Sequence, residues 1–319
     1  MRLVDEVQKY RSVSITGTAK NTGKTECLNY ILRNIPSGVA VATTSIGVDG
    51  EGIDAVTNTS KPEVYLKKGM YFATSETHYR ERRITSEIIG LSTTSSSLGR
   101  YVTGKAISEG KLMLSGPSSV ADIEAWMQKT GQNAIDLFLI DGAASRLSSA
   151  TPYVTDAFIL CTGAAACPRV EPLIQLTEYL VTLSLLGEAD EEELQQSQHI
   201  SAFIEEKDIF PLRKQCYSVT GALTDKLVNM FLRQKMDGVT LIVKDFTRVF
   251  VSMDVYRRFL GKGGRIAVEK SAKLIAVCIN PTSPYGLNMD SGYLRAKLAS
   301  RLNVPVFDLF VSDEIKGFC

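Results

Sequence analysis

The residues with the clearest chemical meaning form a glycine-bounded loop near the start of the chain. The loop reads Gly17-Thr18-Ala19-Lys20-Asn21-Thr22-Gly23-Lys24-Thr25 and lies between the apolar run Val13-Ser14-Ile15 and a helix-like segment. Backbone N–H groups in such a loop surround an anion, and the positive end of the following helix adds to the attraction. We therefore predict a phosphate-binding loop, in which Lys24 reaches the β- and γ-phosphates of a nucleotide.

This loop departs from the usual spacing at one position. Thr18 stands where the motif normally has its first glycine, and Gly17 lies one place earlier. A Gly-Lys-Thr turn before a helix is the alternative interpretation, but the flanking strand and helix favour the nucleotide site. The predicted cofactor-binding residues are Gly17, Thr18, Ala19, Lys20, Asn21, Thr22, Gly23, Lys24, Thr25, Glu26 and Asn280.

A magnesium site is predicted from Thr25 and from a second motif. The apolar run from Ile135 to Ile140 ends in Asp141-Gly142 and is typical of a buried parallel strand. An aspartate at that end orders Mg²⁺ directly or through water, and the Thr25 hydroxyl offers another hard oxygen ligand. A strand that simply ends in an Asp-Gly turn is the alternative.

The group that orients the attacking oxygen is expected after the second predicted strand. The loop from Ser45 to Gly52 contains Asp49 and Glu51. We favour Asp49, as a catalytic residue beside Lys24 and as a metal ligand. A flexible acidic loop is the alternative interpretation. Lys20 either neutralises charge during phosphoryl transfer or points to solvent.

The remaining candidate residues bear on the base and on other chemistry. No Asn-Lys-x-Asp signature for guanine is present, which favours ATP with Mg²⁺. The loop from Asn280 to Gly286 either contacts the base or forms a proline-stiffened turn. His78 and His199 stand in polar surroundings and are interpreted as surface residues, so no serine-histidine-acid site is predicted.

The alternation of apolar runs with helix-like segments predicts the elements that position these residues. We expect an α/β fold, with a three-layer, mostly parallel sheet of the P-loop NTPase type and a β-rich insertion at about residues 60–112. The acidic run at 187–198 suggests a boundary. Residues 1–190 would form the nucleotide-binding domain. Residues 191–319 would form a further α/β region, either separate or continuous with the same sheet.

Composition excludes several classes of protein. The 319 residues carry a net charge of +1 and no basic stripe with interleaved aromatics, so we expect no nucleic-acid partner. We expect no membrane partner either, because no apolar run reaches the roughly 18 residues of a membrane span. The six cysteines include no Cys-x-x-Cys pair, and Cys161 and Cys167 lack the partner ligands of a zinc site. A reduced, cytoplasmic location is expected.

Several motifs in a shared order resemble one known family. They are Gly17–Thr25 with Leu28-Asn29-Tyr30, Thr44–Gly47 with Asp49-Gly50-Glu51, Ile140–Ala143 with Ser148–Ala150, Gly221–Asp225, and Asn280–Gly286. Together they resemble the small, P-loop subunit of the lysine 5,6-aminomutase reactivase, over about residues 10 to 308. The family usually has an arginine where Val48 stands.

The resemblance implies a reactivating chaperone. Such a protein uses ATP and Mg²⁺ to help exchange damaged cobalamin on an adenosylcobalamin-dependent aminomutase. It works with a larger, MutS-like partner subunit, so an ATPase activity would belong either to this chain alone or to the pair. By this resemblance Lys24, Thr25 and Asp141 are the nucleotide and metal residues.

Two other functions remain open at the level of sequence. Dethiobiotin synthetase and molybdopterin-guanine dinucleotide accessory proteins have similar loops, so a P-loop enzyme acting on a small molecule is one alternative. Its substrate pocket would need basic groups near the γ-phosphate, and the candidates are Lys61, Arg80, Arg82 and Arg83. A nucleotide-binding scaffold without turnover is the other.

Overall fold

The computed structural model describes residues 2–46, 63–96, 98–117, 119–142, 150–203, 215–234 and 237–309. Its strands are β1 (Ser12–Gly17), β2 (Val41–Ser45), β3 (Val64–Leu66), β4 (Tyr71–Ser75), β5 (Ser86–Ser96), β6 (Gly99–Ala106), β7 (Gly110–Leu112), β8 (Leu137–Asp141), β9 (Ala157–Gly163), β10 (Gln198–Ser201), β11 (Cys216–Thr220), β12 (Leu223–Thr224), β13 (Thr240–Val243), β14 (Val249–Phe250), β15 (Arg265–Val268), β16 (Leu274–Asn280) and β17 (Val306–Asp308). The helices in these ranges include α1 (Leu3–Val7), α2 (Lys24–Asn34), α3 (Glu76–Arg80), α4 (Val120–Gly131), α5 (Val170–Ser184), α6 (Glu191–Gln196), α7 (Asp225–Arg233), α8 (Met253–Gly261) and α9 (Ser291–Arg301).

The chain divides into two compact units. The first contains residues 1–150, 154–178 and 274–319, and the second contains residues 151–153 and 179–273. The second unit is therefore an insertion between two parts of the first. Of the region after residue 190, the strands from Gln198 to Val268 form sheets of their own, whereas Leu274–Asn280 and Val306–Asp308 belong to the sheet of the first unit.

A nine-stranded sheet forms the centre of the first unit. Its order is β17-β16-β9-β1-β8-β2-β4-β6-β5. The seven strands from β17 to β4 run parallel, and β6 is antiparallel to both of its neighbours, β4 and β5. The prediction of an α/β fold with a mostly parallel sheet is confirmed. Short strands also occupy most of residues 64–112, where β4, β5 and β6 extend the large sheet and β3 pairs with β7.

Alternate residues of β8 show that this sheet is covered by helices on both faces. Leu137 and Leu139 belong to one buried cluster with α2, whereas Phe138 and Ile140 belong to another with α4. Successive side chains of a strand point to opposite faces, so a continuous apolar run buries both. Trp126 of α4 packs edge-on against Phe138, with ring centroids 5.7 Å apart.

The second unit has its own parallel sheet. The order of its four strands is β10-β11-β13-β15, and β12 and β14 form a separate two-stranded sheet. Tyr217 and Phe231 are buried in this unit with ring centroids 5.0 Å apart. Among the described residues, no helix is both long enough and apolar enough to cross a membrane.

Candidate functional site

The loop Gly17–Thr25 leaves the carboxyl end of β1, where parallel sheets of this kind bind ligands. Gly17 is the last residue of the strand and lies directly beneath the loop. A Cβ atom on Gly17 would come within 2.5 Å of Thr22 Oγ1 and 3.1 Å of Lys24 Nζ. Any side chain there would therefore displace both residues. Thr22 Oγ1 and Lys24 Nζ each donate a hydrogen bond to the Ala19 carbonyl, at 3.0 and 3.2 Å.

Thr18 has a structural explanation that the sequence did not reveal. Its backbone N–H donates to the Cys161 carbonyl in the neighbouring strand β9, at 2.9 Å. Its hydroxyl lies 3.4 Å from Thr162 Oγ1 in the same strand. Thr18 thus fixes the start of the loop to β9, while Gly17 supplies the side-chain-free position under Lys24.

The second half of the loop contains two residues in the left-handed region. Asn21 has φ of 59° and Gly23 has φ of 91°. Gly23 precedes α2, and no side chain caps this helix. The amide groups of the first turn are consequently available to an anion, to which the helix dipole also contributes.

Asn280 supports this half of the loop from the end of β16. Its Nδ2 donates to the Asn21 carbonyl at 3.4 Å, and its Oδ1 accepts from the backbone and hydroxyl of Thr282 at 3.1 and 2.9 Å. A Cβ on Gly23 would lie 3.1 Å from the Asn280 Cβ. The structure therefore places Asn280 against the loop, with its amide already engaged by backbone and hydroxyl groups.

Asp141 ends the strand next to β1. It is the register partner of Ile15 in β1 and of Ser45 in β2, so it stands between the ends of these two strands. Its Oδ1 is buried and has no hydrogen-bond partner among the described residues. A buried carboxylate oxygen without a partner is costly, which makes this atom a candidate metal ligand.

Burial raises the pKa of Asp141 to about 7. The nearby charge of Lys24 and a hydrogen bond with the Thr25 side chain act in the opposite direction. Both groups belong to the Gly17–Thr25 loop, and both favour the ionised form of Asp141. The structure thus brings together Lys24, Thr25 and Asp141, as the sequence placed them.

The end of β2 is covered by the segment Leu114–Gly116. Ser45 Oγ donates to the Leu114 carbonyl at 2.9 Å, and Gly116 N donates to the Ser45 carbonyl at 3.2 Å. A Cβ on Gly116 would come within 1.8 Å of Thr44 Oγ1. Only glycine fits this close approach, which fixes one wall of the strand end beside Asp141.

The interpretation of His78 as a surface residue is wrong. His78 is 3% exposed, and its Nδ1 lies 2.6 Å from Ser115 Oγ. Ser115 Oγ also donates to Ser75 Oγ at 2.8 Å and accepts from Ser75 N at 3.2 Å. The polar neighbours of His78 in sequence gave no sign of this, because Ser115 reaches it from a distant segment. His199 is exposed, as expected.

The other predicted residues are placed as follows. Lys20 and Glu26 are exposed, whereas Ala19 is half-buried beside Thr22. Asp49 and Lys61 lie outside the described residues. Arg82 lies over the Tyr79 ring at 3.9 Å, and Arg83 pairs with Glu63 at 3.6 Å.

Comparison of the chain with protein-family models, with curated proteins and with solved structures finds no match in any of the three. The resemblance to the reactivase subunit accordingly rests on its sequence motifs alone.

Proposed function

We propose that this chain binds a nucleoside triphosphate with magnesium at the Gly17–Thr25 loop and uses its hydrolysis to drive a conformational switch. The observation that supports this most directly is the buried, unpartnered Oδ1 of Asp141 close to Lys24 and Thr25. An α/β sheet that presents an uncapped helix and a lysine at the same edge is suited to a polyphosphate. Absence of a guanine signature favours ATP.

Magnesium fits the residues present. The Thr25 hydroxyl and the Asp141 carboxylate are hard oxygen donors, of the kind that Mg²⁺ prefers. In the described ranges, no group of three or more His, Cys, Asp or Glu side chains could hold a metal ion. The phosphates and water would therefore complete the coordination. Bound Mg²⁺ supplies positive charge that stabilises the developing charge on the phosphate oxygens.

The residues of the site would have different roles in binding and hydrolysing the nucleotide. Lys24 now donates to the Ala19 carbonyl, and we propose that it turns from this acceptor to the β- and γ-phosphates. The uncapped N–H groups at the start of α2 would bind phosphate oxygens. Asp49 stays the proposed residue for orienting the attacking group, and the loop after Ser45 is the proposed switch.

The cellular role that we propose follows from the resemblance. This chain would act with a larger, MutS-like subunit as the ATP-dependent part of a reactivase for a cobalamin-dependent aminomutase. The alternative, an enzyme acting on a small molecule, needs basic groups directed at a substrate beside the γ-phosphate. Two of its candidates are bound elsewhere, because Arg82 contacts Tyr79 and Arg83 pairs with Glu63. This observation favours the switch.

Calorimetric titration with ATP and MgCl₂ tests the nucleotide site. Lys24→Ala and Asp141→Asn should each weaken binding by about tenfold or more, because each removes a charge-assisted contact. Lys68→Ala and Asp237→Asn change exposed residues of the same types and should bind as the native chain does. Equal affinity in all five proteins would refute the proposed site.

Phosphate release and aminomutase reactivation test the role separately. We expect Lys24→Ala to abolish reactivation of an inactivated aminomutase by the complete two-subunit reactivase, while Lys68→Ala retains it. Undiminished reactivation by Lys24→Ala would exclude the chaperone role. Tight binding of ATP without phosphate release, with or without the partner, would instead identify a scaffold.

A further inference from the structure

Three cysteines meet beneath the Gly17–Thr25 loop. Cys27 of α2, Cys161 of β9 and Cys278 of β16 are all buried and belong to one apolar cluster. Cys161 and Cys278 are register partners in neighbouring parallel strands, so their side chains leave the same face of the sheet. Cys27 approaches from the helix above, and its Sγ lies 3.7 Å from Cys278 Sγ.

Each thiol is close in sequence to a residue that shapes the loop. Cys27 follows Thr25 by two positions, and Cys278 precedes Asn280 by two. Cys161 is the register partner of Gly17, and its carbonyl accepts the Thr18 N–H. A covalent change among these thiols would thus act directly on the loop.

We propose that Cys27 and Cys278 are an oxidation site, at which a peroxide forms a disulfide that disables the Gly17–Thr25 loop. A disulfide requires an S–S distance of about 2.05 Å, so the sulfur atoms must approach from their present 3.7 Å. The approach draws the first turn of α2 towards β16 and moves Thr25 with it. The effect on nucleotide binding rests on the proposed function, whereas formation of the disulfide does not.

The chemistry needs only hydrogen peroxide as the oxidant. Hydrogen bonding with Cys161 and burial raise the pKa of the Cys27 and Cys278 thiols, so the reaction proceeds through their small ionised fraction. One such thiolate attacks a peroxide oxygen, the O–O bond breaks, and the departing hydroxide takes the thiol proton and leaves as water. The second thiol attacks the resulting sulfenic acid, forms the S–S bond and releases a second water. Two thiols and one peroxide therefore give one disulfide and two waters.

Burial determines how this site should respond to ligand. Cys27 and Cys278 are at most 2% exposed, so peroxide reaches them only when the structure around them opens locally. ATP and Mg²⁺ bound at the first turn of α2 would oppose such an opening. We therefore expect ATP with MgCl₂ to slow the oxidation.

The test uses the full chain, treated with hydrogen peroxide, alkylated and digested without reduction for mass spectrometry. We expect a peptide in which Cys27 and Cys278 are linked. ATP affinity should fall by about tenfold or more, since small displacements of positioned groups are that costly, and dithiothreitol should restore it. Cys27→Ala should keep its ATP affinity through the same treatment, and Cys216→Ala, a change in the second unit, should lose it as the native chain does.

The experiment distinguishes failure of the oxidation site from failure of the proposed nucleotide site. Absence of the Cys27–Cys278 peptide, or its presence with unchanged ATP affinity, would overturn the proposal. Peptide mapping needs no nucleotide. If the untreated chain binds no ATP, the proposed function is refuted, but a linked Cys27–Cys278 peptide would still identify the oxidation site. The native chain alone decides the mapping if Cys27→Ala does not fold.

Discussion

The side-chain amide of Asn280 donates a hydrogen bond to the backbone carbonyl of Asn21, with the two atoms 3.4 Å apart. This contact joins the end of β16 to a left-handed residue of the Gly17–Thr25 loop. The same side chain also accepts from Thr282, so both ends of the amide are oriented. Asn280 is therefore expected to act on nucleotide binding through the shape of the loop.

We predict that Asn280→Ala weakens ATP binding by about two- to tenfold, the loss expected for one modest hydrogen bond. Calorimetric titration measures the change. Asn303→Ala removes an exposed amide from the same unit and should leave the affinity unchanged. Equal affinities for both variants would mean that the Asn21 contact does not shape the site.

Asp141 should make the ligand-free chain less stable as the pH rises. Burial raises its pKa from 3.8 to about 7, so between these values the folded chain binds a proton that the unfolded chain has lost. This contribution to stability is complete below pH 3.8 and is lost as the pH rises through about 7. Asp141→Asn should not show it. Urea unfolding at pH 5 and pH 8 measures the difference, with Asp237→Asn as the control.

Magnesium-dependent binding of ATP should show the opposite trend with pH. Only the ionised Asp141 serves as a metal ligand, so the affinity should rise by about tenfold per pH unit below its pKa and level off above it. Titrations between pH 5.5 and 8 should be compared with the same series for Asp141→Asn. An identical pH profile for the two proteins would contradict this role.

Gly116→Ala should destabilise the first unit by about 1–3 kcal/mol through overpacking. The added methyl group would overlap Thr44 Oγ1 and approach the Ser45 carbonyl. Chemical unfolding measures the loss. Gly38→Ala adds the same group where no atom lies within 4 Å, and it should be nearly neutral. Comparable stability of the two variants would show that the approach to Thr44 is not close.

Ser115→Ala should cost about 1–3 kcal/mol of stability, because it removes a hydroxyl that hydrogen-bonds to several buried polar groups. The groups affected are His78 Nδ1, Ser75 N and Ser75 Oγ. Ser300→Ala, which removes an exposed hydroxyl, is the matched control. Unfolding curves that coincide for the two variants would count against a structural role for this network.

Local patterns predicted the strands around the candidate site well. The run from Ile135 to Ile140 predicted β8, and Val13-Ser14-Ile15 predicted β1, although the burial of the polar residues Ser12, Ser14 and Thr16 in β1 does not follow from its composition. The glycines and the lysine of the loop likewise predicted its place after β1, because few other settings require that combination. These signals depend only on residues that are close in sequence, so the sequence alone is enough to recognise them.

Relationships between distant segments could not be predicted in the same way. The burial of His78 depends on Ser115, which reaches it from 37 residues away. The role of Thr18 depends on Cys161, and the return of β16 to the first sheet depends on which strand edges are left open. Such pairings are decided by tertiary packing, for which one sequence carries no local signal.

The position of β16 has a consequence for synthesis of the chain on the ribosome. β9 ends at Gly163, but its neighbour β16 begins only at Leu274, after the whole inserted unit. At usual elongation rates β9 would remain an edge for roughly 5 to 20 s. Every residue of β9 is buried in the finished sheet. Until β16 is made, the free edge of β9 is therefore exposed and can pair with other chains. Slowing elongation over residues 164–273 should therefore increase aggregation of the newly made protein.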